Sequence, residues 1–301
     1  METHKIYFGD SYGHYARAGE EGPAVVILHG WAASLKHWEW ILPALASAGY
    51  TAYTLDLPGH GQAPRIPHRY AIQDYLDYVH RWMEALDIQQ PTLLGHSMGG
   101  YLSLQYALQY SGTLRSLVLV DPLYSHHQFN SYHRLVQWLS SSPQALRIAE
   151  DLFRHFPMWL IEASHLWVRH DVGGAPTPLR RQAALDQKRA DPRIVHMIAT
   201  VEDLSPHLQQ LRLPALVIWG GYDHLLFPSS FETLVDLLPE AQGHCFMDAG
   251  HHPHLGRTQS FVERVLTFLQ QVRDDRRGTG AAPTEVNQLW MSSTTTILAD
   301  R

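Results

Sequence analysis

The sequence predicts an open α/β fold, a mostly parallel sheet covered by helices on both faces and interrupted by a helical insertion. Short, continuously apolar segments bounded by turn residues supply the strands, and amphipathic stretches of helical period lie between them. Residues 122–211 then break the alternation with no strand pattern. Strand–helix alternation of this kind builds a sheet through right-handed crossovers.

In chain order, His4–Phe8 and Tyr12–Arg17 flank Gly9-Asp10-Ser11 and read as an antiparallel hairpin. Ala24-Val25-Val26-Ile27-Leu28 is apolar throughout, as a strand covered on both faces requires. Thr51–Leu55, Thr92–Leu94, Leu117–Val120, Ala215–Trp219 and His244–Met247 are shorter strands of the same sort. Helices are expected at Lys36–Ala48, Ile72–Leu86, Met98–Tyr110, Ser229–Leu238 and Thr258–Val272. In the second of these, Ile72, Tyr75, Leu76, Val79, Met83 and Leu86 recur on one face. Inside the interruption, Leu135–Leu139, Ala145–Phe153 and Trp159–Val168 read as helices, and His170–Pro178 as a Gly/Pro connector. The expected organisation is a core of residues 1–121 and 212–273 with a helical lid over 122–211. After about Asp274 the composition shifts to DDRRGTGAAPTE and a Ser/Thr run, which reads as a loosely held tail over 274–301.

Composition narrows the function classes. The chain has 301 residues, 45% of them hydrophobic, enough for a sizeable core and not for a disordered chain. A net charge of −6 with no basic stripe argues against nucleic acid. Cys245 alone allows neither an internal disulfide nor a cysteine zinc site. The N-terminus lacks a signal-peptide core, and no apolar run is long enough to span a bilayer. A soluble cytoplasmic protein, monomer or homodimer, without metal or cofactor, is the expectation.

Gly95-His96-Ser97-Met98-Gly99 matches G-x-S-x-G. The pattern is weak alone, but here it follows an apolar strand and opens a helix, the setting of a nucleophile elbow. Glycines at 95 and 99 remove Cβ atoms that would clash across so sharp a turn, and Gly100 lets the helix approach the sheet. Ser97 then stands at the C-terminal edge of the sheet, where such folds place ligands. A serine hydroxyl needs a base to take its proton and a third group to orient that base. In chain order Ser, acid, His, the acid falls on Asp223 in the turn after Ala215–Trp219. The base falls on His251 in the turn after His244–Met247.

Asp121, which also ends a strand, is the alternative acid, and His252 the alternative base. A His251/His254 metal pair lacks an accompanying acidic or cysteine ligand set. His96 reads as packing beside the nucleophile, and His29 and His60 as loop residues bordering the site. Backbone N–H groups of Trp31 and Met98 are the candidate oxyanion donors, with the Trp31 indole facing the acyl side.

With these motifs assembled, residues 5–273 resemble α/β-hydrolase-fold proteins of the esterase-like type with a helical cap. His29-Gly30-Trp31, Asp56-Leu57-Pro58-Gly59-His60-Gly61, the Gly95–Gly100 elbow, Asp223 and Gly250-His251 carry the resemblance. It implies a cofactor-free Ser-His-Asp hydrolase with its cap inserted after the sixth strand. Ser at the elbow, where epoxide hydrolases and haloalkane dehalogenases attack with Asp, argues against those branches.

The lid aromatics Phe129, Trp138, Phe153, Phe156, Trp159 and Trp167 favour esters of small to medium apolar or aromatic acyl groups. Arg169 and Arg180-Arg181 would suit a C–C hydrolase of ring-cleavage diketones. That branch usually has Asn before the nucleophile and Trp after the base, where this chain has His96 and His252. Glu150, Asp151 and Glu162 would suit an aminopeptidase. A non-catalytic binding protein of the same fold is the reading from another class, and the intact triad positions argue against it. His251 must be neutral to act as a base, so activity is expected to fall on acidification.

Overall fold

The computed structural model describes residues 2–68, 70–110, 112–129, 138, 142–155, 157 and 177–278. Eight strands form one sheet: β1 (Thr3–Phe8), β2 (Ser11–Ala18), β3 (Ala24–Leu28), β4 (Thr51–Leu55), β5 (Thr92–His96), β6 (Ser116–Val120), β7 (Ala215–Gly220) and β8 (Ala241–Phe246). Their order is β1-β2-β4-β3-β5-β6-β7-β8. The pairs β1–β2 and β2–β4 are antiparallel and the rest parallel, as the Gly9–Ser11 hairpin and the later strand–helix alternation require.

Strand composition follows position in the sheet. β4, β5 and β6 are buried at every residue, and β3 at all but its first. Their alternate side chains feed two separate cores: Val26, Leu28, Leu93, Leu117 and Leu119 point to one face. Val25, Ile27, Leu94, Val118 and Val120 point to the other. Helices α2 (Ile72–Ala85), α3 (Met98–Gln109) and α6 (Pro228–Leu237) cover the first face. Helices α1 (Leu42–Ser47) and α8 (Thr258–Gly278) cover the second, inserting Leu42, Leu45, Phe261, Val265 and Phe268. A fully buried Phe or Leu contributes roughly 1.5–3 kcal/mol, so these two layers dominate stability.

Within the core, three elements differ most from the sequence expectation. A single helix over Lys36–Ala48 is replaced by a 3-10 turn at Leu35–His37 and the short α1. Pro43 stands in the first turn of α1, where its missing N–H is harmless; further into a helix its ring would clash with the preceding turn. The last strand begins at Ala241 and ends at Phe246, so the expected His244–Met247 starts late and overruns by one residue. It is an edge strand, half-exposed, and Gln242 and Gly243 hide its pattern. Helix α8 runs to Gly278, past the composition change at Asp274.

The insertion follows β6. Among its described residues no strand occurs, apart from one isolated bridge between Phe129 and Leu226 of the core. Helix α4 (Pro143–His155) contains the expected Ala145–Phe153. Helix α5 (Thr177–Arg189) begins inside the expected connector, because Pro178 suits a first helical turn and Lys188 and Arg189 suit the last. Of Leu135–Leu139 only the helical Trp138 is described, and Trp159–Val168 lies outside the described residues. The short helix α7 (Pro253–Gly256) separates the β8 turn from α8.

Candidate active site

Ser97 is the single residue between β5 and α3, with φ 52° and ψ −112°. A positive φ costs a non-glycine residue about 1–3 kcal/mol, and here the surroundings impose it. Ser97 N–H donates to Val120 O at 2.9 Å, while Ser97 O accepts from Tyr101 N and Leu123 N, both at 3.1 Å. The turn closes only because position 99 is glycine: a Cβ there would strike the Leu28 carbonyl. The hydroxyl-bearing carbon is thereby set at the C-terminal edge of β5.

Asp223 and His251, from the turns after β7 and β8, meet at the same edge. His251 Nδ1–H donates to Asp223 Oδ2 at 2.7 Å, and both residues are buried. The other carboxylate oxygen accepts the N–H groups of Leu225 at 2.8 Å and Leu226 at 3.0 Å. Held on both oxygens, the carboxylate fixes the imidazole with its proton on Nδ1, leaving Nε2 as the basic nitrogen. Asp121 is also buried, but its Oδ1 accepts Gly220 N–H at 2.9 Å, and its φ is 41°.

His96 joins the Ser97 turn to His251. Its Nε2–H donates to the His251 carbonyl at 2.8 Å, and the two rings are 5.0 Å apart. Burial, with His254, His252 and His251 close by, holds His96 well below the usual histidine range, so it stays neutral and keeps this single donor. Gly30 packs on the opposite side: a Cβ there would lie 2.8 Å from His96 Nδ1 and 3.4 Å from Ser97 Cβ. The loop after β3 is thus brought against the Ser97 turn. His254, stacked on Trp38 at 4.1 Å, supports the His251 loop from behind.

The loop carrying Trp31 is fixed by buried polar contacts. His29 Nδ1–H donates to Gly30 O at 2.8 Å and its Nε2 accepts Leu57 N–H at 3.0 Å. Asp56 accepts from His14 Nδ1 at 2.7 Å and from the amides of Leu35 and Gln62, both at 2.8 Å. Burial would raise the Asp56 pKa, but the His14 bond, His29 and the two amides outweigh it and hold the carboxyl below its ordinary value. His60 donates from Nδ1 to Pro58 O, and burial pushes its pKa down to about 3. The Trp31 and Met98 N–H groups donate to no acceptor among the described residues. For Met98, the first residue of α3, this is the ordinary state of a helix N-terminus.

Above Ser97 opens a cavity of about 600 Å³ between the sheet's C-terminal edge and the segment that follows β6. Its described lining is apolar apart from Ser97 and Gln187, and includes Trp31, Phe129, Trp138 and Phe153. Trp31 meets Phe153 of α4 edge-to-face at 5.1 Å. Glu150 lies off this cavity, paired with Arg154 at 2.7 Å and His196 at 2.9 Å, and Asp151 belongs to a separate outer groove. Glu162, Arg169, Phe156, Trp159 and Trp167 lie outside the described residues. Among the described residues, one group presents ligand atoms close enough for a cation: Asp121, Asp223 and His251, within 4.8 Å of one another. An ion there would have to displace the proton shared by Asp223 and His251.

The family model for the alpha/beta hydrolase fold matches residues 23–258. The chain belongs to that family. It is 27% identical over 265 residues to the pimeloyl-(acyl-carrier protein) methyl ester esterase of Aeromonas hydrophila subsp. hydrophila, covering 83% of this chain and 96% of that one. Lipase 3 of Moraxella sp. (strain TA144) is 24% identical over 251 residues, with 81% and 76% covered. Among solved structures, a thermophilic esterase from Thermogutta terrifontis superposes with a TM-score of 0.73 at 21% identity. That match covers 90% of this chain and 99% of the esterase. In this chain Ser97, Asp223 and His251 lie in the turns that follow β5, β7 and β8.

Three features of the site are not visible in the sequence. The His96 bond to the His251 carbonyl joins residues 155 apart. The His14–Asp56 pair joins residues 42 apart. Ser34 Oγ–H donates to Asp186 Oδ2 of the lid at 2.6 Å across 152 residues. The only local signal was the density of histidines around these turns.

Proposed function

We propose that this hydrolase cleaves carboxylic esters of small to medium apolar or aromatic acyl groups through an acyl-Ser97 intermediate. His251 Nε2 takes the Ser97 proton as Oγ attacks the ester carbonyl. The tetrahedral oxyanion receives the backbone N–H groups of Trp31 and Met98. Collapse expels the alcohol, protonated by His251, and a water activated by the same nitrogen then releases the carboxylic acid. Asp223 keeps its proton partner on Nδ1 throughout. The carrying observation is the 2.7 Å Asp223–His251 pair, tied through His96 to the turn of the strained Ser97, with Ser97 lining an apolar cavity. The names of the relatives, esterase and lipase, point the same way.

A panel of p-nitrophenyl esters at neutral pH, with Ser97→Ala alongside, tests the reading. The variant should lose several orders of magnitude in kcat; full activity would end the proposal. No described side chain of the cavity favours the aminopeptidase or the diketone hydrolase, since none there is charged. Among the described residues no helix is long and apolar enough to cross a membrane. With Cys245 a free thiol, the cytoplasm is the proposed location.

A further inference from the structure

Gln187 stands out in the cavity. Besides Ser97 it is the one described lining residue whose side chain both donates and accepts hydrogen bonds. Its amide makes no hydrogen bond to any described group. Both flanking residues clamp the helix that carries it. Asp186 accepts from Ser34 Oγ at 2.6 Å and from Gln182 Nε2 at 2.7 Å, and Lys188 Nζ donates to the Arg154 carbonyl of α4 at 3.0 Å. The free amide therefore sits on a helix tied to the core on one side and to the rest of the lid on the other, so its position is preorganised.

Water can satisfy the amide while the cavity is open. A bound hydrocarbon chain would expel that water and leave the amide unpaired, which is unfavourable in an apolar site. A carboxylate would fare worse, because no described lining residue carries a positive charge to meet it. We propose that Gln187 is a specificity-determining residue that reads one uncharged oxygen, a ketone or hydroxyl, on an otherwise hydrocarbon acyl chain. This rests on the ester-hydrolase reading above and names its substrate class. Discrimination of this kind is stronger than a pocket achieves by sorting chain lengths, since the unpaired group penalises the wrong substrate.

The test compares p-nitrophenyl octanoate with its keto analogues, one isomer for each methylene oxidised to a ketone. In native protein at least one keto isomer should exceed octanoate in kcat/KM by roughly tenfold, the worth of one hydrogen bond in such a site. In Gln187→Met, near in volume and a good helix former, that ratio should collapse towards one. Gln187→Leu should behave alike, and thermal midpoints report whether each variant is folded. No preferred isomer in native protein, or a ratio that survives both variants, would overturn the inference. So would an equal loss on every substrate that leaves the ratio intact. Octanoate turnover, with Ser97→Ala as control, reports on the ester chemistry without reference to Gln187. Failure of that turnover would remove the underlying reading and this inference together, whereas a missing ratio removes only the inference.

Discussion

Ser97 occupies a backbone conformation that it would not choose alone, and neighbours from β3, β6 and α3 hold it there. The proposed acid is also distinguished at single residues. Two buried carboxylates, Asp121 and Asp223, stand near His251, but Asp223 holds Nδ1 and Asp121 holds the Gly220 amide. Asp223→Asn should lower kcat by roughly a thousandfold or more. The amide keeps the shape but favours the wrong imidazole tautomer, as when a serine protease loses its triad acid. Asp121→Asn should cost less than about tenfold, because an amide oxygen can still accept Gly220 N–H. Steady-state kinetics on one ester decide the matter, and a larger loss in Asp121→Asn would move the acid's role there.

At the scale of elements, legibility followed how much of a segment is decided by its own residues. The β3 strand Ala24–Leu28 and the elbow around Ser97 were readable because apolar runs and glycine spacing are local signals. Helix α2 was readable because its buried face repeats at helical period. Helix α5 was not, since it buries Ala183, Ala184 and Asp186, a narrow stripe of small and polar residues in a charged sequence. β8 was misplaced because an edge strand packs on one partner only, and its half-exposed residues carry no clear alternation. At the site, the turns holding Ser97, Asp223 and His251 were each legible. The contacts that brace them, His96 to the His251 carbonyl between two of the turns and Ser34 to Asp186 between the β3 loop and α5, depend on how distant segments pack. They leave no trace in either segment alone.

Histidine shapes the behaviour of the whole molecule, with 21 in the chain. Burial holds His29, His60, His96 and His254 below the usual range, His60 at about 3. The unfolded chain binds protons at these groups near pH 6.5, while the folded chain does not. Stability is therefore fully present above that pH and is lost as pH falls towards the folded values, by up to about 1.4 kcal/mol per unit for each group. Asp186 acts in the opposite sense. Burial pushes it up to about 6, so its contribution is present in acid and lost as pH rises through that value. Four groups outweigh one, and the thermal midpoint should fall steadily between about pH 7 and pH 5; a flat or rising midpoint would contradict this balance. The proposed chemistry of the whole molecule converges on one oxygen. Native protein treated with a fluorophosphonate and mapped by peptide mass spectrometry should carry a single phosphonyl group, on the peptide containing Ser97, and Ser97→Ala should carry none. Label on another residue, or native protein that takes no label, would contradict the account.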